Sequence, residues 1–407
     1  MSLGRALSRL RVVDLTHYIA GPYCTKLLGD YGADVVKIEK PLGGDGARSL
    51  PPFFDDRAVQ GNSGLFSFLN TSKQSVGIDL KQGEGTAILL RLVEKADVLV
   101  QNFRPGTLER LGINEAKLQK ANPRLVSVSI SNFGSTGPHR DYAMTDNIAY
   151  ASGGWTFPMG ELSREPVQPG GAFGQYVAGL YAAIGALQAV RNRDETNAAQ
   201  TVEVSIQEAL IATSLYDFVA FSYSGFVRER SGKQFHLGFP NLVTLPCADG
   251  YVGVHPGLPH QIIALLELVE RSDLAGDPRF CDMSNLPACA DELHSALLPW
   301  MKERGKWDIY HAAQARGIPL SPIPSAREVL EWSQLRERNA FVDIRRSEDG
   351  RTVRIPGPPF REAGDPIVNL CSAPRLGEHT RAVLAARLGL EEGAIARLGE
   401  NGTISTV

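Results

Sequence analysis

The chain has 407 residues, of which 43% are hydrophobic and 21% are charged, a balance typical of folded globular proteins. This length favours two or three domains. The formal net charge of −3 argues against nucleic acid as the main partner, but it is compatible with a local basic pocket. Because no run of about 18 apolar residues occurs, we expect no membrane span.

Cysteine and histidine usage argues against disulfides and against a metal site. The five cysteines are odd in number and form no CxxC pair, and the eight histidines form no HExxH motif. The first ten residues also lack the apolar segment of a secretory signal. These patterns favour a reducing, cytoplasmic location.

The N-terminal segment predicts a β-α-β unit. Arg11–Thr16 is an apolar, β-branched run typical of a strand, Tyr23–Tyr31 is predicted to be a helix ending at Gly32, and Ala33–Glu39 is a second strand. The turn Ala20–Pro22 consists of small residues but is not a GxGxxG motif, so it does not predict a dinucleotide site.

The β/α pattern repeats through the first half of the chain and indicates a parallel sheet with crossover helices. Further strands are predicted at Val76–Leu80, Ala96–Val100, Leu125–Ser131 and Thr201–Ile206. Gln101–Gly106 follows the second of these strands at its carboxyl end, where ligands bind in open α/β sheets.

A change of composition after residue 225 predicts a second, smaller α+β domain. The polar segment Arg228–Gly238 reads as a linker, and the turn Ala248–Gly250 lies within a predicted hairpin at Asn241–Val254. Phe341–Ile355 predicts another hairpin. We therefore divide the chain into a first domain over residues 1–225, a second, smaller domain over 226–325, and a last segment over 326–407.

The stretch PVQPGGAFGQYVAGLYAAIGAL, Pro166–Leu187, joins a glycine-rich break to a helix rich in small residues. Small side chains let another backbone come close, so we expect this helix to pack tightly. The start of such a helix presents unbonded N–H groups and a positive dipole end, which makes it a candidate place for chemistry.

Six segments of the chain resemble the class III CoA-transferase family, the CaiB/BaiF type, which includes formyl-CoA transferase, carnitine CoA-transferase and α-methylacyl-CoA racemase. They are LRVVDLTHYIAGPYCTKLLGDYGADVVKIEKP, NTSKQSVGIDL, ADVLVQNFRPGTLERLG, NPRLVSVSISNFGSTGP, AGLYAAIGAL and PRLGEHT. The segments occur in family order and span the chain from end to end. The resemblance implies a Rossmann-like large domain built from both chain ends, an inserted smaller α+β domain, and two chains that interlock as a dimer.

The resemblance also implies coenzyme A or an acyl-CoA as the ligand, a carboxylic acid as the acceptor, and no metal. By position, it assigns the CoA site to Lys40, Lys73, Asn102, Phe103, Arg104 and Arg110. Lysine and arginine suit the phosphates of CoA, and an aromatic ring suits the adenine. Without the resemblance, a solvated surface charge would be the better interpretation of each of the two lysines.

One position departs from the family pattern. Transferases of this family use an aspartate that attacks the acyl-CoA thioester and forms a mixed anhydride. The ungapped match puts that aspartate at Gln175, whose neutral amide is a poor nucleophile. Family racemases pair the same aspartate with a histidine, and Thr145 stands at the histidine position, which argues against a racemase.

Three interpretations of Gln175 follow. The chain is a CoA-binding subunit that pairs with an aspartate-bearing homologue, an active homodimer that uses another carboxylate, or a silent acyl-CoA-binding protein. For the second interpretation, the carboxylates to test are Asp146, Glu161 and Glu165. We favour the first. An apolar or aromatic acyl group would suit Trp155 and its neighbours.

Overall fold

The computed structural model describes residues 6–59, 61–230, 244–280, 282, 285–360 and 370–406. Its internal contacts divide the chain into two compact units. The first comprises the described residues of Met1–Gly154, Pro169–Leu215 and Glu337–Val407, and the second those of Trp155–Gln168 and Tyr216–Arg336. The first unit thus takes segments from both ends of the chain.

The strands and helices of the described residues follow in chain order. The strands are β1 Arg11–Asp14, β2 Asp34–Glu39, β3 Lys73–Ile78, β4 Val98–Gln101, β5 Val126–Ser131, β6 Gln200–Ser205, β7 Thr244–Cys247, β8 Gly250–Val254, β9 Leu320–Pro322, β10 Phe341–Arg345, β11 Thr352–Pro356 and β12 Ile404–Ser405. The helices are α1 Ala20–Asp30, α2 Gly64–Leu69, α3 Gly83–Val93, α4 Thr107–Arg110, α5 Glu115–Ala121, α6 Asp146–Ser152, α7 Phe173–Thr196, α8 Ile206–Thr213, α9 Leu215–Ser224, α10 Pro259–Leu268, α11 Ser272–Ala275, α12 Ala290–Lys302, α13 Lys306–Gln314, α14 Ala326–Glu331, α15 Ser333–Glu337, α16 Thr380–Leu388 and α17 Glu392–Glu400. None of these described helices is both long enough and apolar enough to cross a membrane.

A central sheet organises the first unit. In the described residues it has seven strands in the order β12-β3-β2-β1-β4-β5-β6. Strands β1 to β6 pair in parallel, and the short β12 joins the edge antiparallel to β3. This parallel-dominated sheet with crossover helices confirms the predicted α/β fold.

Apolar strands buried on both faces hold the sheet in the core, as parallel sheets require. On one face, side chains of β1, β2 and β3 pack with α3, α16 and α17 in a single hydrophobic cluster. Elsewhere, α7 packs against α1 through small residues. A Cβ atom on Gly179 would lie 2.5 Å from the carbonyl oxygen of Ala20, so only glycine permits this approach.

Two predicted elements begin three residues earlier than the sequence indicated. Helix α1 begins at Ala20 rather than Tyr23, because Pro22 falls in the first turn, where a missing N–H leaves no helix bond unmade. Strand β3 begins at Lys73 rather than Val76, because Lys73 and Gln74 pair with β2.

In the second unit, β7, β8 and β9 form an antiparallel sheet whose apolar residues pack with α10, α12 and α13 around a separate core. The pairing of β7 with β8 confirms the first predicted hairpin over its described part, while residues 241–243 lie outside the described residues. The second predicted hairpin is confirmed by the antiparallel pair β10 and β11, which belongs to the first unit.

Candidate functional site

A cavity of about 650 Å³ lies at the carboxyl ends of β1, β4 and β5 in the first unit. Its lining includes residues at or just after the ends of these strands. Tyr18–Ala20 follow β1, and Asn102–Pro105 follow β4. Ser131 is the last residue of β5, and Asn132 comes directly after it. The site therefore lies where parallel α/β sheets bind ligands, because strand ends and helix starts converge there. We call it the carboxyl-end cavity.

Gln175 lies on the wall of this cavity, in the first turn of α7. Its side-chain amide donates a hydrogen bond of 2.9 Å to Oδ1 of Asp146, which also lines the cavity and begins α6. This hydrogen bond fixes the orientation of the Asp146 carboxylate at the cavity wall.

The start of α7 is fixed by a buried tyrosine of α6. The Tyr150 hydroxyl accepts a hydrogen bond from the backbone N–H of Phe173 at 2.7 Å and donates to the carbonyl of Gly171 at 3.0 Å. Tyr150 is 1% exposed, so this anchor is shielded from water. Because Tyr150 and Asp146 share one helix, α6 positions both the start of α7 and the partner of Gln175.

The loop after β4 contributes positive charge and an aromatic ring. Asn102 holds the loop after β1: its Nδ2 donates to the His17 carbonyl at 2.7 Å, and its Oδ1 accepts from the His17 N–H at 2.8 Å. The Phe103 ring lies 5.3 Å from the His17 ring. Arg104 is exposed and forms no ion pair with a described residue, and Arg110 donates to Thr107 at 2.8 Å.

Lys73 lies away from the cavity lining, in a buried network. Its ammonium group is 3.0 Å from Asp14, 2.9 Å from the Pro22 carbonyl and 2.9 Å from Asn70. Burial lowers the pKa of Lys73 to about 8, although the charge of Asp14 acts in the opposite direction and raises it. Lys40, by contrast, is exposed and does not line the cavity.

The same network fixes the loop after β1. Lys37 is fully buried, lies 2.9 Å from Asp45 and donates to the Thr16 carbonyl at 2.7 Å. Asp45 in turn accepts the backbone N–H of Tyr18 at 2.9 Å. Tyr18 has a left-handed backbone, with φ of 65°, so these bonds support a conformation that non-glycine residues rarely adopt.

Comparison with known proteins places the chain in a family. The model of CoA-transferase family III matches residues 7–380. The chain belongs to CoA-transferase family III.

Two curated relatives in this family are subunits of one enzyme from Chloroflexus aurantiacus. The alpha subunit of succinyl-CoA–L-malate CoA-transferase is 32% identical over 399 residues, covering 96% of this chain and 91% of the relative. The beta subunit is 31% identical over 388 residues, covering 94% of each. A CaiB/BaiF family protein from Brucella suis has a similar crystal structure, with a TM-score of 0.84, 30% identity, and coverage of 94% of this chain and 99% of that one.

Five of the seven sequence-assigned positions of this family III protein line one cavity, and two do not. Those that line it are Asn102, Phe103, Arg104, Arg110 and Gln175. Of the three carboxylates named as alternatives, Asp146 lines the same cavity, whereas Glu161 and Glu165 are exposed residues of the second unit. Within the described residues, no group of three or more His, Cys, Asp or Glu is arranged to hold a metal ion.

Sequence reasoning missed Tyr18, Arg140 and Asp141 in the cavity wall, and it missed the buried network. A signal for the network was present, because Asp14 and Lys37 each interrupt a run of apolar strand residues, RVVDLT and DVVKIE. A charge inside a buried strand needs an ionic or hydrogen-bonding partner. The partner itself could not be read from these runs.

Proposed function

We propose that this family III protein binds CoA or an acyl-CoA in the carboxyl-end cavity and acts as one subunit of a CoA-transferase. In this proposal, a homologous chain supplies the nucleophilic aspartate, and CoA passes between two carboxylic acids. The observation that carries the proposal is that Gln175, a neutral amide, lies on the cavity wall, and the sequence resemblance assigns this position to the family nucleophile. An amide has no negative charge with which to attack a thioester.

The cations of the cavity support CoA as the ligand. Arg104, Arg110 and Arg140 line it together with two carboxylates, Asp141 and Asp146, so the wall carries a net positive charge. Guanidinium groups bind phosphates through paired N–H donors, and the ring of Phe103 offers a stacking surface for adenine. Lys40 and Lys73 stay predictions for this site.

An exposed apolar stripe on α7 supports a partner chain. Leu180, Ile184 and Leu187 recur at helical spacing and are 45%, 55% and 40% exposed. Adjacent apolar side chains of this size mark an interaction surface more often than a solvent face. Two Chloroflexus proteins similar to this chain are named as the alpha and beta subunits of one CoA-transferase, which favours a homologous partner over a second copy.

The test compares the isolated chain with the chain plus an aspartate-bearing homologue from the same genome. Each sample receives a panel of acyl-CoAs and carboxylic acid acceptors, and CoA transfer is followed by chromatography. We expect the isolated chain to bind CoA by calorimetry without catalysing transfer, and the mixture to be active. Rapid transfer by the isolated chain would overturn the proposal, and CoA binding with no activity in any mixture would indicate a silent binder.

A second candidate function is transfer by this chain alone, with Asp146 as the nucleophile. The observation that favours it is the 2.9 Å bond from Gln175, which orients this carboxylate at the cavity wall. In that reaction a carboxylate oxygen of Asp146 bonds to the acyl carbon, the thioester C–S bond breaks, and CoA leaves as the thiolate.

Hydroxylamine trapping separates the two candidates. A mixed anhydride on Asp146 reacts with hydroxylamine to give a hydroxamate at that residue, which mass spectrometry locates. Asp146→Asn should abolish both the label and the transfer, whereas Asp141→Asn, on the same cavity wall, should retain them. Absence of the label during active transfer would exclude Asp146 as the nucleophile.

A further inference from the structure

A second cavity of the first unit, of about 230 Å³, lies at the amino ends of β1 and β2. It is bounded by the first residues of these strands, Arg11 and Asp34, and by the ends of α3 and α16. The carboxyl-end cavity lies at the other end of β1 and shares no lining residue with this one, so the two cavities are distinct. We call this one the amino-end cavity.

Four cations line the amino-end cavity: Arg11, Arg91, Lys95 and Arg387. Asp34 is the one carboxylate in its lining, and Arg387 already donates to it at 2.6 Å. The lining therefore carries a surplus of three positive charges, on a chain whose formal net charge is −3. A local cluster of cations attracts anions even when the chain as a whole carries a negative net charge.

The partners of these cations leave their charge largely uncompensated. Arg91 donates to the carbonyl of Leu388, and Lys95 donates to that of Arg387 at 2.7 Å, so both contact neutral oxygens at the end of α16. Arg11 forms no ion pair with a described residue. The nearby Asp97 is bound by Arg193 at 2.9 Å and by the backbone N–H of Arg11.

The contacts at the end of α16 also make this position suitable for an anion, although it lies at the carboxyl end of a helix. Helix carboxyl ends repel anions through their unbonded carbonyls. Here Arg91 and Lys95 already bind two of those carbonyls, while each keeps further N–H donors, because a guanidinium has five and an ammonium three. Arg11 contributes a full set of donors.

We propose that the amino-end cavity binds a small multivalent oxyanion, such as a phosphate or a polycarboxylate, between Arg11, Arg91, Lys95 and Arg387. Its volume of about 230 Å³ suits one such ion. This site goes beyond the proposed function and does not depend on it.

The experiment measures binding of phosphate, pyrophosphate and citrate to the full chain by calorimetry at constant ionic strength, with acetate as the monovalent control. We expect saturable binding of at least one multivalent ion and none of acetate. Arg11→Gln and Lys95→Gln should each weaken that binding by about tenfold, since each removes a charged donor. Arg9→Gln makes the same charge change two residues from Arg11, outside the cavity lining, and should leave affinity unchanged.

Three results would overturn this site. One is no saturable binding of any multivalent ion at millimolar concentrations. Another is equal weakening by Arg9→Gln and Arg11→Gln, which would indicate a general charge effect. The third is equal weakening by Arg104→Gln and Arg11→Gln, because the ion would then occupy the carboxyl-end cavity, which Arg104 lines. Circular dichroism of each variant verifies the fold, and Lys95→Gln provides an independent variant if Arg11→Gln is unstable.

Discussion

The side-chain amide of Gln175 donates a 2.9 Å hydrogen bond to Oδ1 of Asp146. Two carboxylates at this separation would repel each other, and one would take up a proton. An amide avoids that conflict, because it offers a donor to the carboxylate. The pair is therefore a satisfied hydrogen bond, and Gln175 offers this wall no negative charge with which to act as a nucleophile.

Gln175→Asp should restore a nucleophile to a wall that is otherwise in place. We expect acyl-CoA cleavage to rise by at least about tenfold over Gln175→Asn, which shortens the side chain equally without adding charge. Release of CoA thiol is measured with a chromogenic disulfide. Equal rates for both variants, with CoA binding retained, would mean that more than one catalytic group is missing.

Arg104→Ala should weaken CoA binding. Arg104 lines the carboxyl-end cavity without an ion-pair partner in the described chain, so its charge is available to a phosphate. Loss of one charged hydrogen-bond donor corresponds to about a tenfold to hundredfold increase in Kd, measured by calorimetry. Arg124→Ala is the control, because Arg124 is an exposed partner of Asp194 outside the cavity lining. Unchanged affinity in Arg104→Ala would mean that CoA does not contact this side chain.

The sequence predicted strands β1 to β6, because each contains an apolar or alternating run that ends at polar or turn residues. It also predicted that the loop after β4 lies at the carboxyl end of a strand, where ligands bind, whereas the assignment of its Arg104 to a CoA site came from the family resemblance and stays a prediction. Both inferences rest on local pattern, which survives folding. The order of the strands and the pairing of β12 with β3 involve residues distant in sequence, and no local pattern encodes them.

Lys73 illustrates the limit of local pattern. In NTSKQS it has the surroundings of a surface loop, yet it is 4% exposed. Its position follows from the register that pairs it with Val35 of β2, which in turn pairs with Val12 of β1, two residues before Asp14. Three separate segments must meet before the ion pair exists. The contact of Gln175 with Asp146 is similar, since it depends on the packing of α7 against Tyr150.

Lys37→Met should destabilise the first unit strongly. The ammonium group of Lys37 is fully buried and lies 2.9 Å from Asp45. Its removal leaves the Asp45 carboxylate buried without a cation, which costs about 3–5 kcal/mol in the free energy of unfolding. Urea denaturation measures this loss. Lys40→Met, an exposed neighbour, should change the free energy by less than about 0.5 kcal/mol. A small effect in Lys37→Met would contradict the ionic role of the network.

The network should also make stability fall in acid. Burial by itself would raise the pKa of Asp14 and of Asp45. The charge of Lys37, together with the other cations and hydrogen-bond donors around each carboxylate, outweighs burial and holds each pKa below its usual range. Burial is likewise outweighed at Glu39, where Arg48 lowers the pKa. The unfolded chain then takes up protons near pH 4 while the folded chain does not, so the free energy of unfolding is retained above about pH 4 and declines below it.

Urea denaturation at a series of pH values between about 3 and 7 tests this pH dependence of the free energy of unfolding, because the range brackets the carboxyl pKa of about 4. In Asp45→Asn the free energy of unfolding should fall less steeply in acid, because one of the three buried carboxylates no longer titrates. The exposed Asp141→Asn should leave the slope unchanged. An equal slope in Asp45→Asn and in the unaltered chain would show that groups outside the network control acid stability.

Gly46→Ala should impair the carboxyl-end cavity through Tyr18. A Cβ atom at Gly46 would lie 2.5 Å from the Tyr18 ring, which is 53% exposed and lines the cavity. The ring can move, so the substitution should displace a wall side chain rather than unfold the chain. We expect the Kd for CoA to rise by about tenfold, which is about 1.4 kcal/mol of binding free energy, because the displaced ring alters the cavity wall. Gly83→Ala, where no heavy atom lies within 4 Å of the added Cβ, should leave the Kd unchanged. If Gly46→Ala binds CoA as tightly as Gly83→Ala does, Tyr18 does not shape the ligand site.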